Sequence, residues 1–111
     1  MKYSKSLVID MAVSLEQIVQ ELQLVSQQLV SVQTQIRELE GTISHLNKQS
    51  EESAVYQQVG PLLVQVDDIA ALQTSLSETC SQLAIHAEKL EQTERDLRLS
   101  YETAVKQFEA Q

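Results

Sequence analysis

Apolar side chains recur along the first half of the chain with a regularity that leaves little choice of structure. Val8, Met11, Leu15, Ile18, Leu22, Val25, Leu29, Val32, Ile36, Leu39, Ile43 and Leu46 follow one another in alternating steps of three and four. That is a heptad seam with every a and d position apolar, and a period of about 3.5 keeps it facing one partner. Gln, Ser and Glu fill most positions between, so the helix has one face to bury. A helix of about 40 residues rises on the order of 60 Å. Gly41 falls at the f position, opposite the seam, where it costs about 1 kcal/mol of helix stability relative to Ala. The spacing predicts a helix over about 7–48.

The pattern then breaks. Residues 49–53 are polar and unpatterned, which reads as a loop. Ala54-Val55-Tyr56-Gln57-Gln58-Val59 and Leu62-Leu63-Val64-Gln65-Val66 flank Gly60-Pro61, the only Gly-Pro pair in the chain. Two such runs around a turn dipeptide predict a β-hairpin over 54–66. Leu62, Val64 and Val66 share one face, and Leu63 and Gln65 point the other way. A lone two-stranded hairpin is marginal in water and presents two unpaired edges. This one is expected to pair with strands of other chains. The candidate assembly residues are Val55, Tyr56, Val59, Gly60, Pro61, Leu62, Leu63, Val64 and Val66.

Asp67 and Asp68 can cap a second helix, over about 68–110. Its seam reads Ile69, Leu72, Leu76, Leu83, Leu90 and Leu97, with Thr79, His86 and Thr93 at the d positions between. After Leu97 the phase shifts by four, so that Tyr101, Ala104 or Val105, and Phe108 continue the stripe; such a shift is a stutter. Folding back across the hairpin sets Leu46 opposite Leu72, Met11 near Gln107 and Phe108, and Val8 near Ala110. The expected fold class is mainly α, one domain over 1–111. It is a long antiparallel two-helix coiled coil joined by a short β-hairpin that assembles with other subunits.

Composition narrows the options further. Aromatics are 4% of 111 residues, with no Trp and one Phe, and the chain has only two Gly and one Pro. A multi-stranded β domain needs a turn signal every 8–12 residues or so and is excluded. The formal charge is −8, from 16 acidic and 8 basic side chains. Residues 1–48 carry four basic and five acidic groups, and 49–111 carry four and eleven. Nucleic acid and anionic membrane surfaces both require clustered Lys and Arg, so neither is an expected partner. The acidic run Glu88, Glu91, Glu94 and Asp96 reads as a solvated face. Cys80 is the only cysteine and forms no internal disulfide. No apolar run approaches the 18 or so residues of a membrane span, and the three-residue stretch Leu7-Val8-Ile9 is too short for a signal peptide. A soluble, cytoplasmic protein is expected.

Candidate chemistry is sparse. His45 and His86 are the only histidines. The register sets His45 opposite about Ser75, roughly 16 Å along the helix from His86, too far for a shared metal ion. No Gly-rich phosphate loop or Ser/His/Asp arrangement is present. No enzyme activity, metal or cofactor is expected.

The order helix, polar loop, Val55-Tyr56-Gln57-Gln58-Val59-Gly60-Pro61-Leu62-Leu63-Val64-Gln65-Val66-Asp67, helix resembles a β-class prefoldin subunit. The single-hairpin type found in archaeal prefoldin beta and the eukaryotic sixth subunit is the match; the α class has two hairpins and a longer chain. Glu21-Leu22-Gln23-Leu24-Val25-Ser26-Gln27-Gln28-Leu29 is similar to the Gln-rich first helix of that class. The resemblance covers residues from about 10 to the end. Gln57-Gln58 departs from a pair that often includes Lys, and the residues around Leu7 and Val8 are not distinctive. The resemblance implies a hexamer of two α-class and four β-class subunits whose hairpins join into a platform. It also implies an ATP-independent holdase that grips non-native polypeptides at coiled-coil tips and passes them to a group II chaperonin.

At the expected tip, Leu7, Val8, Met11, Ala12 and Leu15 meet Tyr101, Val105 and Phe108. One reading has these side chains closing the coiled coil. The other has them binding clients, because apolar surface at a free end marks an interaction site and Met adapts to varied partners. The alternative function is a structural or adaptor coiled coil that spaces specific partners. A holdase suppresses aggregation of several unrelated denatured proteins; an adaptor binds one native partner.

Overall fold

The computed structural model describes residues 5–49 and 52–110, the side chain of Ser6 excepted. Positions 50 and 51 of the expected loop, and the chain ends at 1–4 and 111, lie outside the described residues. Two long helices flank a two-stranded hairpin: α1 (Lys5–Lys48), β1 (Tyr56–Val59), β2 (Leu62–Gln65) and α2 (Ile69–Glu109). The chain divides into two compact units, Gln33–Ile85 and Met1–Val32 with His86–Gln111.

The Gln33–Ile85 unit holds the end of α1, the hairpin and the start of α2. The last turn of α1 tightens where the Gln49 amide donates to the Leu46 carbonyl at 3.3 Å, satisfying one of the carbonyls a helix end leaves free. His45 and Lys48 sit in that turn, where positive charge complements the helix dipole. β1 and β2 are antiparallel, with Tyr56 opposite Gln65, Gln57 opposite Val64, Gln58 opposite Leu63 and Val59 opposite Leu62. The turn between them is Gly60-Pro61. Gly60 has φ +59°, and Pro61 fixes its own φ near −65°, the signature of a II′ hairpin turn. The Val66 amide donates to the Val55 carbonyl at 2.8 Å and extends the ladder by one pair. Asp68 caps α2, its Oδ1 accepting from the Ala71 amide at 2.9 Å. Across the helices the Gln73 side-chain amide donates to Asn47 Oδ1 at 3.0 Å, within one turn of the expected Leu46–Leu72 register.

In the other unit the first part of α1 packs antiparallel on the last part of α2. Leu29 and Val32 from α1 and Ala87 and Leu90 from α2 are its buried residues. Ser26 Oγ donates to Glu94 Oε2 at 2.8 Å across the helices. Met11 and Ser14 share a crevice with Ala104 and Gln107, the neighbourhood expected for Met11.

All twelve seam positions of α1 are buried or half-buried. The seam of α2 departs from the sequence reading. Thr79, His86 and Thr93 are exposed, and their successors Cys80, Ala87 and Glu94 face inward instead. The phase shift therefore sits between Leu76 and Cys80 rather than after Leu97. From Cys80 onward Leu83, Ala87, Leu90, Glu94 and Leu97 face inward in steps of three and four; Tyr101, expected to continue the stripe, is exposed, and the stripe resumes at Ala104 and Phe108. Thr79 and Thr93 settle their hydroxyls by donating to the carbonyls of Ser75 and Lys89, four residues back, as outward-facing helical threonines do.

Candidate functional site

Two surfaces gather the candidate residues. The first is the hairpin. The observed pairing puts Val55, Gln57, Val59, Leu62, Val64 and Val66 on one face and Tyr56, Gln58, Leu63 and Gln65 on the other. Every residue of both strands is exposed, and so are Gly60 and Pro61. Leu62 is 64% and Leu63 72% exposed. Only Val55 and Val66, at the base, are half-buried. Burying a Leu or Val fully is worth about 1.5–3 kcal/mol. The hairpin leaves that stabilisation unused on both faces within this chain.

Beside β1 the structure has an open groove of about 870 Å³. Leu46, Leu72 and Leu76 form its apolar part, with Gly41, Thr42 and His45 of α1 along one wall. Ala54, Val55 and β1 residues Tyr56, Gln57 and Gln58 line the other. His45 also hydrogen-bonds the Gln49 side chain at 3.2 Å. Gly41 is exposed, and a β-carbon there meets nothing within 4 Å.

The second surface lies near the chain ends, in the unit that holds them both. Of the candidate client residues, Val8, Met11, Leu15, Val105 and Phe108 are half-buried against the seam, whereas Leu7, Ala12 and Tyr101 are exposed. The sequence reading missed Ile9 and Val13. They are 59% and 46% exposed, four residues apart on one side of α1, and apolar. Their signal was an apolar residue off the heptad seam, where Glu, Gln or Ser otherwise stands. Leu24, Val30, Ile85 and Leu99 are exposed in the same way, singly along the helices.

The remaining chemical side chains do not converge. Cys80 is half-buried within the seam of α2, and His86 is exposed. Among the described residues no three His, Cys, Asp or Glu side chains come together as metal ligands. The acidic stretch of α2 is tied locally: Gln92 bridges Asp96 at 2.9 Å and Arg95 at 2.8 Å, and Arg98 pairs with Glu94 at 3.7 Å. Among the described residues no helix is long and apolar enough to cross a membrane.

Comparison with known proteins agrees with this architecture. A family model described as a prefoldin subunit matches residues 10–111. Prefoldin subunit beta of Thermococcus onnurineus is 35% identical over 78 residues, which span 70% of this chain and 66% of that relative, just under two thirds of its length. The crystal structure of the prefoldin beta subunit from Thermococcus strain KS-1 superposes with a TM-score of 0.84 at 26% identity, over 99% of this chain and 96% of that one. Two long helices, a single hairpin between them and a family match over nearly the whole sequence place the chain in the prefoldin family, as a subunit of its β class.

Proposed function

We propose that the chain is one subunit of an ATP-independent holdase of the cytoplasm, acting as a single prefoldin-like domain. Its hairpin joins it to an α-class subunit in a hexamer of two α-class and four β-class chains. Apolar side chains near the helix ends hold non-native polypeptides, which pass from there to a group II chaperonin. The observation that carries assembly is the hairpin, whose strands expose Tyr56, Val59, Leu62, Leu63 and Val64. Such a ribbon is marginal alone and gains stability when further strands or a helix cover it.

For client holding, the exposed residues weigh more than the seam residues. Leu7, Ile9, Val13 and Tyr101 offer apolar surface without opening the coiled coil, whereas Met11, Leu15, Val105 and Phe108 are partly spent on closing it. Several weak apolar contacts from several subunits would grip many sequences and release them, because avidity multiplies modest affinities. Prefoldin subunits are chaperones rather than enzymes, and this reading asks no side chain for bond-making chemistry.

The test has two stages. The chain is mixed with an α-class prefoldin subunit, and the mass of the product is measured by native mass spectrometry. The assembled complex is then added to two unrelated denatured proteins and light scattering is followed. A hexamer that suppresses both aggregations supports the proposal. A complex that binds one native partner and leaves aggregation unchanged replaces it with an adaptor role.

A further inference from the structure

Near the chain ends the seam of α2 carries a small residue between two large ones. Leu97, Ala104 and Phe108 face inward there, and only a methyl group stands at the middle position. Packed interiors leave few voids larger than a water molecule, and filling such a void commonly stabilises a fold. Here the space stays open. It is a crevice of about 170 Å³ lined by Asp10, Met11 and Ser14 of α1 and Ala104 and Gln107 of α2. A water takes up about 30 Å³ of liquid, so the crevice suits one long side chain and is too small for a helix or a strand.

Its lining is divided by chemistry. Met11 and Ala104 are half-buried and form an apolar floor, whereas Asp10, Ser14 and Gln107 are exposed and form a polar rim. Asp10 and Ser14 lie four residues apart, on one side of α1. Among the described residues the Asp10 carboxylate forms no ion pair, and Lys106, next to Gln107 on α2, does not reach it. A wholly apolar occupant would use the floor and leave the carboxylate idle. An acidic occupant would be repelled. Lysine and arginine combine an apolar stem with a cationic head, and so match both parts.

We propose that the crevice holds a lysine or arginine side chain of a client, its stem over Met11 and Ala104 and its head on Asp10. This rests on the holdase reading above and deepens it, by naming a client feature that Ile9 and Val13 do not select. Met11 can adapt its unbranched side chain to stems of different length. A single exposed ion pair is weak, but several subunits in one complex would add their contacts through avidity.

The probe is a fluorescent peptide of alternating leucine and serine with lysine at its centre. Two otherwise identical peptides carry norleucine or glutamate at that position. Each is titrated into the complex assembled with an α-class prefoldin subunit, and anisotropy is followed. The lysine peptide is expected to bind up to about fivefold more tightly than the norleucine peptide, the size of one exposed ion pair. The glutamate peptide should bind most weakly. Asp10→Asn and high salt should each bring the lysine and norleucine peptides together, because the ion pair is removed or screened. Ala104→Leu fills the crevice, so it should abolish the preference while the free chain melts no lower than the parent. Equal binding of lysine and norleucine by the parent, or a preference that survives Asp10→Asn, overturns the proposal. If either substitution instead prevents assembly, the crevice belongs to a contact between subunits and the proposal also falls. If no peptide binds and aggregation is not suppressed, the holdase reading falls with it.

Discussion

The hairpin and the helix seam are built from the same residue types and end in opposite conditions. Leu29 and Val32 in α1 are 8% exposed, whereas Leu62 and Leu63 in β2 are more than half open to solvent. The difference lies in what each element can reach within one chain. A heptad seam on α1 finds a matching seam on α2, so its burial is completed by folding. A two-stranded ribbon has two faces and two edges, and no third strand among the described residues covers them. Apolar residues in the seam therefore report on folding, and those in the hairpin, under the function proposed above, report on what the folded chain binds. Substitutions in the two regions should separate cleanly on those two readouts.

The largest effect is expected from Val64→Lys. Val64 faces the same side as Val59 and Leu62 and is 48% exposed in the free chain. A lysine there is solvated while the chain is alone, so thermal melting should hardly move. Among packed strands of a complex the same charge would be unpaired, at a cost of several kcal/mol. Complete loss of association in native mass spectrometry with an unchanged melting curve is the expected pair of results. Retained association would make the hairpin something other than the assembly element.

Leu29→Ala should do the reverse. Truncating a buried leucine costs on the order of 2–5 kcal/mol. Circular dichroism should show a much lower melting temperature. At temperatures where the variant stays folded, association should be close to normal. An unchanged midpoint would mean that the buried position contributes little to the helix pairing.

A smaller effect is expected near the chain ends, where the two behaviours meet on one helix. Changing Ile9 and Val13 together to Ser removes exposed apolar surface and leaves the seam intact. Melting and assembly should stay within error, while suppression of client aggregation falls several-fold. That loss should not depend on salt, since apolar contacts are not screened as exposed charges are. Full holding by the assembled variant would move the client site elsewhere.

These contrasts also show which parts of the molecule were legible in the sequence. α1 was readable because every inward position carries a large aliphatic side chain, and one face is all the helix has to bury. The hairpin was readable from Gly60-Pro61, whose conformational needs admit few alternatives. α2 was misphased because its true inward residues include Cys80, Ala87 and Glu94, whose small or polar side chains carry little hydrophobic signal. The carboxylate of the half-buried Glu94 is met by Ser26 across the helices and by Arg98 one turn on. Ile9 and Val13 were overlooked because a heptad reading credits only the seam. The groove beside β1 was invisible for a different reason: it depends on where the strand lies against α1, which no local pattern encodes.

The smallest predicted effect, Gly41→Ala, tests whether the boundary between folding and binding can fall at a single residue. An exposed helical glycine costs about 1 kcal/mol relative to alanine, because its backbone loses more freedom on folding. Nothing lies within 4 Å of the new Cβ, so no packing penalty offsets the gain. The free chain should melt higher, by about 4 °C if the full amount is realised in a chain of this size. Gly60→Ala is the control, since φ +59° is a backbone conformation that a side chain makes unfavourable. It should loosen the turn and gain the helices nothing. A rise for Gly41→Ala together with slightly weaker association would mean that α1 sacrifices helix stability for assembly. A rise with unchanged association would show that the glycine at this point of α1 serves neither folding nor assembly.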